Sequence, residues 1–133
     1  MAVTFSTQTP NLVVADIARS LTFYRDVLGF SVVESVPKEP PFVFVMLMRD
    51  KPVVFLNAVS VVREDPAYSK LADNVGQSGV SMYFDVKGVH ELYDALKGKV
   101  TVVAPLERKF YGITEFNIVD PDGYLITFAE RLD

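Results

Sequence analysis

A near-repeat at an offset of 72 residues constrains this chain more than any other feature. Val14 falls on Val86, Phe44 on Phe116, Asp50 on Asp122 and Leu56 on Phe128, and the hydrophobic pattern around these anchors recurs in step. Asp16 opens a helix-like stretch that ends in Leu28-Gly29-Phe30, and its counterpart Gly88 opens a shorter one that stops near Gly98. Two copies of one small motif make a pseudo-symmetric cleft in which equivalent positions face each other. Neither half of a 133-residue chain buries a sheet face alone, so the halves read as modules of a single domain over residues 1–133.

The elements follow from periodicity and punctuation. Asn11 to Ala15 reads as a strand, Asp16 as a helix N-cap, and Ile17, Leu21, Tyr24 and Leu28 as one apolar helical stripe closed by Gly29. Strands are expected at Phe30–Val36, Phe42–Met48 and Val53–Val59, the last two joined by the short turn Arg49-Asp50-Lys51-Pro52. The second half repeats the order, with strands at Val80–Val86 and Val100–Ala104, a short helix between them, and a hairpin of Phe110–Val119 with Tyr124–Glu130 over Asp120-Pro121-Asp122-Gly123. The motif is βαβββ used twice: module 1 over about 5–59, a polar, irregular linker over about 60–78 with a short helix near Pro66–Leu71, and module 2 over about 79–133. The fold class is α+β, a curved eight-stranded mixed sheet with helices on its convex face. The concave face is left for a ligand, the other half or a second subunit.

Composition removes several function classes. The chain has no cysteine, which excludes a disulfide frame and a thiolate metal site. A net charge of −4 opposes a nucleic-acid surface and favours cationic over anionic ligands. No apolar run is long enough to span a bilayer, and Met1-Ala2-Val3-Thr4-Phe5 has no signal-peptide pattern, so a cytoplasmic protein is the expectation. With one histidine, His90, no Ser-His or Cys-His pair can be assembled. His90 reads as an exposed or capping residue on the convex side. Gly76-Gln77-Ser78-Gly79 lacks the lysine and helix context of a nucleotide loop.

Leu21-Thr22-Phe23-Tyr24-Arg25-Asp26-Val27-Leu28-Gly29-Phe30 resembles the first-helix signature of the vicinal oxygen chelate superfamily, which includes glyoxalase I, extradiol dioxygenases, and fosfomycin- and bleomycin-resistance proteins. Asp120-Pro121-Asp122-Gly123-Tyr124-Leu125-Ile126-Thr127-Phe128 resembles its last hairpin, and the likeness covers nearly the whole chain. In metal-using members this resemblance places one ligand in the first and one in the last strand of each module. Here those positions hold Thr9, Phe55, Ser81 and Thr127. Divalent transition metals need imidazole, thiolate or carboxylate donors, so no metal and no cofactor is expected. Of the immediate neighbours only Gln8 could ligate. The character is that of metal-free, bleomycin-resistance-like members.

Strand alternation names the rest of the site. Leu12, Val14, Phe84 and Val86 are expected to face helices, and Asn11, Val13, Ser81, Tyr83 and Asp85 the concave side. Val54, Leu56, Phe116, Ile118, Ile126 and Phe128 are expected in the core. Phe55 and Tyr83 become flat walls, Asn57 and Asn117 amide partners, and Thr127 and Glu115 polar points, with Tyr111 as platform or lid. Glu115 reads either as a carboxylate for a cationic ligand group, or a base, or as a rim charge paired with Arg108, Lys109 or Arg49. The aromatics Phe42, Phe44, Phe110 and Tyr111 read as one core or interface cluster. The expectation is a homodimeric, metal-independent protein that binds a small organic, cationic or aromatic molecule, with neither nucleic acid nor membrane as partner. An enzyme of the same superfamily, using unusual metal ligands or Glu115 as base, is the alternative. A third reading is a structural homodimer whose concave face is filled by its own side chains.

Overall fold

A computed structural model describes residues 2–132. The strands are β1 (Asn11–Val14), β2 (Ser31–Val36), β3 (Phe44–Met48), β4 (Val53–Ala58), β5 (Met82–Asp85), β6 (Thr101–Arg108), β7 (Ile113–Val119) and β8 (Leu125–Arg131). The helices are α1 (Ile17–Leu21), α2 (Val59–Arg63) and α3 (Val89–Leu96). The tandem βαβββ organisation is present. Its eight strands divide into two four-stranded mixed sheets, ordered β1-β4-β3-β2 and β5-β8-β7-β6. In each sheet the first and last strands of a module run parallel, which a βαβββ connection requires because parallel neighbours need a crossover.

Asp16 begins α1 as expected. Its backbone is extended and its side chain accepts from the Arg19 amide at 3.2 Å, satisfying a first-turn donor. After Leu21 the helix widens into a π-helical stretch, Thr22–Val27, with Leu28 N–H donating to Phe23 O at 2.9 Å. This wider winding buries Phe23 and Tyr24 together. Gly29 then turns the chain with φ +79°, beside the Arg49 guanidinium.

One hydrophobic core joins the modules. Val54, Leu56, Phe116, Ile118, Ile126 and Phe128 are buried in it, as their parity predicts. Phe84 stacks on Phe128 with ring centroids 5.4 Å apart and meets Phe30 of the other module at 6.1 Å. Each such fully buried side chain contributes about 1.5–3 kcal/mol.

Two features differ from the sequence reading. The linker is ordered: α2 leaves β4 directly, and a 3-10 helix, Ser69–Asn74, packs back on it. Arg63 ties the two, through Asp73 Oδ1 and Ala72 O, both at 3.2 Å. Polar composition hid this segment because only Val62 and Ala72 of it are buried.

The repeat is also not uniform. Asn11↔Phe55 and Tyr83↔Thr127 keep the 72-residue offset, but Phe55 pairs with Met46 while Thr127 pairs with Asn117. The third strands are therefore related by one residue less. The extra residue sits in the second hairpin turn, where Asp120 Oδ1 accepts from the Asp122, Gly123 and Tyr124 amides, each at 2.9 Å. Phe44 consequently corresponds in space to Glu115, not to Phe116.

Candidate functional site

The concave residues of the second sheet form two cross-strand rows. One is Tyr83, Thr127, Asn117 and Ala104, and the next is Asp85, Ala129, Glu115 and Glu107. The register brings Asn117 and Thr127 side by side, and the amide donates to the hydroxyl at 2.6 Å. Glu115 is only 8% exposed, and its carboxylate accepts from the Tyr111 hydroxyl. That bond pushes the Tyr111 phenol up to about 12, with desolvation and the charges of Glu115, Tyr83 and Glu107 adding to it. Lys109 pairs with Glu107, Arg108 donates to Leu132 O and Arg49 to Leu28 O. Among the described residues no cation pairs with Glu115, so the rim-charge reading of this residue finds no partner there.

The same two rows in the first sheet have another chemistry. They read Asn11, Phe55, Met46, Glu34 and Val13, Asn57, Phe44, Val36. Phe55 meets Phe44 edge-on at 5.3 Å. Asn57 donates to Asn11 Oδ1 at 2.6 Å and to Leu12 O at 3.1 Å, so its amide closes the β1–β4 pair and is not free for a ligand. Val13 faces the concave side, as parity requires, but is 4% exposed because Val62 and Ala72 of the ordered linker cover it. Of these first-sheet residues only Val13 is buried, and Asn11, Glu34 and Val36 remain exposed. The expected aromatic cluster also divides, with Phe44 in the first sheet and the Phe110–Tyr111 pair at the β6–β7 turn of the second.

A cleft of about 1770 Å³ separates the facing edges of β1 and β5. Thr9, Ser81 and Tyr83 line it, while Phe55 and Thr127 do not. Two of the four family metal positions therefore meet the cleft and two do not, and neutral hydroxyls with a phenyl ring do not fit a divalent transition metal. Among the described residues no group of three His, Cys, Asp or Glu side chains is placed to hold one. His90 is exposed on α3, away from these rows.

Beyond the shared apolar core, side-chain hydrogen bonds between the modules cluster at one place. The Tyr24 hydroxyl, fully buried, donates to Asp120 Oδ2 at 2.7 Å. Arg19 reaches Asp122 Oδ1 at 2.9 Å, the Ala15 amide donates to the same oxygen at 3.2 Å, and the Tyr124 hydroxyl donates to Val13 O at 2.7 Å. Burial is the main cause that raises the Tyr24 phenol above its ordinary range, followed by the charge and hydrogen bond of Asp120. Burial likewise raises the Asp120 carboxyl, against the hydrogen bonds it accepts. Sequence reasoning placed Tyr24 on an apolar stripe and Asp120 in a turn. It missed their pairing because no local pattern links residues so far apart. It also missed Glu107, because β6 runs past the expected end at Ala104 to Arg108.

The family model described as the Glyoxalase/Bleomycin resistance protein/Dioxygenase superfamily matches residues 6–128. A bleomycin resistance protein of Geobacillus stearothermophilus is 28% identical over 130 residues, covering 92% of this chain and 95% of that protein. A crystal structure of a glyoxalase/bleomycin resistance protein/dioxygenase from Nocardioides shares the fold, with a TM-score of 0.79 and 18% identity over 99% of this chain and 87% of that one. A protein of unknown function from Agrobacterium tumefaciens str. C58 is 26% identical with a TM-score of 0.70, over 99% of this chain and 97% of that one.

Proposed function

Given that the chain belongs to the glyoxalase/bleomycin resistance protein/dioxygenase superfamily, we propose that it binds a small organic molecule without a metal and sequesters it unchanged. The observation that carries this reading is the second-sheet row in which the Glu115 carboxylate lies between strands, bonded to Tyr111 and unpaired by any described cation, with Tyr83 one row away. A carboxylate flanked by phenol rings suits a cationic or aromatic ligand, since both charge and ring faces attract it. The bleomycin-resistance relatives agree with sequestration. The donor chemistry of Thr9, Phe55, Ser81 and Thr127 supports metal independence. Tyr111, Asn117 and Thr127 complete the polar wall, Phe55 contributes only from the far sheet, and Asn57 is held by Asn11 and Leu12.

We further propose a cytoplasmic homodimer. Phe110 is 99% and Phe5 95% exposed, an apolar excess that a second subunit would cover. No helix of the described residues is long and apolar enough to cross a membrane.

Titration calorimetry against cationic glycopeptides and aromatic amines tests the binding. Saturable binding that Glu115→Gln weakens at least about tenfold is expected, a loss of roughly 1.4 kcal/mol or more. Absence of binding across the panel overturns the reading. Elemental analysis of purified protein is expected to show less than stoichiometric Ni, Zn, Fe or Mn, and one metal per chain would overturn metal independence. Sedimentation equilibrium is expected to give a dimer.

A further inference from the structure

The second-sheet face holds polar atoms that the fold leaves without partners. Asn117 Nδ2 donates to Thr127 Oγ1 at 2.6 Å. Among the described residues nothing donates to Asn117 Oδ1, and nothing accepts the Thr127 hydroxyl proton. Turning the amide over makes the hydroxyl the donor, and then Nδ2 and Oγ1 are the free groups. One donor and one acceptor stand side by side in either case. Glu115 has the same feature: Oε1 accepts from the Tyr111 hydroxyl, and Oε2 has no described partner. Among the described residues no side-chain nitrogen or oxygen is both sealed from solvent and unpartnered. Asn117 Oδ1 and Glu115 Oε2 are therefore open to the concave side, although Glu115 is only 8% and Thr127 6% exposed. Nearly buried side chains that keep a reachable free valence are held ready for a ligand's polar groups, because the strands already fix their geometry.

We infer that the ligand of this face carries two polar groups, a cationic N–H that meets Glu115 and a carboxamide that meets the Asn117–Thr127 pair. This rests on the proposed function, in which Glu115 is a ligand-binding carboxylate. Glu115 and Asn117 lie two residues apart on β7 and share a face, which separates the two contacts by about 7 Å. A carboxamide offers an N–H and a C=O in one plane, complementary to the acceptor and the donor that Asn117 and Thr127 present. A carboxylate in that place supplies no N–H. It would also stand beside the row of Asp85, Glu115 and Glu107, of which only Glu107 pairs with a described cation, Lys109 at 3.6 Å. Tyr83, 60% exposed, continues the Asn117–Thr127 row, and Tyr111 flanks Glu115. An aromatic body between the two polar groups thus has rings to lie against. The ligand class is an arylalkyl amine bearing a carboxamide, and Thr127 is the residue that selects the carboxamide.

Matched probes separate the two contacts in the unaltered protein: para-(aminomethyl)benzamide, para-methylbenzylamine and para-(aminomethyl)benzoate, titrated by ligand-observed NMR. The benzamide is expected to bind about tenfold more tightly than the methyl compound, the contribution of two added hydrogen bonds. The benzoate is expected to bind more weakly than either. Thr127→Val should bring the Kd of the benzamide to that of the methyl compound. Glu115→Gln should weaken both amines and keep their ratio. Equal Kd values for the benzamide and the methyl compound in the unaltered protein would overturn the inference, and this comparison needs no variant to fold. An advantage of the benzamide that survives Thr127→Val would overturn it too. If the two amines bind equally and Glu115→Gln weakens both, the carboxamide contact falls while the proposed function stands. Absence of binding by every probe overturns both.

Discussion

The two modules share a fold and differ in what they do with its inner face. Module 1 covers Val13 with Val62 and Ala72, stacks Phe44 edge-on against Phe55 and spends Asn57 on Asn11. Module 2 leaves Tyr83 60% exposed, bonds Asn117 to Thr127 in the same row, and in the next row sets Glu115 against the Tyr111 hydroxyl. Duplication fixes a backbone twice without fixing its chemistry. A shift of one residue in the third strand puts Phe44 in one half where Glu115 stands in the other. That exchanges an apolar contact for a buried carboxylate.

The largest expected effect lies at the Tyr24–Asp120 contact between the modules. Asp120→Ala leaves the Tyr24 hydroxyl and the Asp122 and Tyr124 N–H groups without an acceptor, while Gly123 N–H keeps the Asp120 carbonyl, and we expect a loss of about 3 kcal/mol in urea unfolding. The matching change in module 1, Arg49→Ala, removes a half-exposed side chain and should cost less than about 1 kcal/mol. Equal losses would show that the two turns are energetically alike.

Backbone packing should give the next largest effect. A Cβ added at Gly76 would lie 1.8 Å from the Asp122 carbonyl oxygen, and Gly76 has φ +76°, so Gly76→Ala must displace backbone. We expect it to cost about 2 kcal/mol, whereas Gly98→Ala, with nothing within 4 Å, should be within about 1 kcal/mol of neutral. Val62→Ala tests the plug on module 1 and should cost about 1–2 kcal/mol by cavity formation. Together with Ala72→Ser it should admit hydrogen exchange along β1.

Titration separates the halves without unfolding them. Tyr111 should ionise near 12, followed by absorbance at 295 nm, and return toward about 10 in Glu115→Gln. An unchanged value would remove the Glu115 bond from the site. Tyr24 bears on stability instead. Its folded phenol is raised, so its contribution is complete below the unfolded value of about 10 and is lost as the pH rises beyond it. The unfolding free energy should therefore fall above about pH 10, and Tyr24→Phe should flatten that fall.

Much of this was legible in the order of residues because it depends on local chemistry. Asp16 caps α1 with the carboxylate that marks it, and the strands fall within a few residues of where alternation puts them. The buried face of β4 follows the period of two, whereas β7 and β8 bury runs of consecutive residues, Thr114–Phe116 and Ile126–Ala129. The linker was illegible because two buried side chains carry its packing, too few to make a pattern. The register was illegible because Phe44 on Phe116 is the better match of letters, while hydrogen-bond pairing prefers Glu115.

From the order of residues alone come a duplicated βαβββ chain, its family, and residues without metal-donor chemistry at the four positions the resemblance assigns to ligands, since these depend on residue type, spacing and parity. The tertiary fold, by contrast, sets aromatic and amide side chains on the inner face of one module and a buried carboxylate on that of the other, and joins Tyr24 to Asp120 across the modules. Those outcomes depend on which residues meet across the pseudo-twofold, and side chains distant in sequence acquire their energies only when the fold brings them into a shared low-dielectric contact.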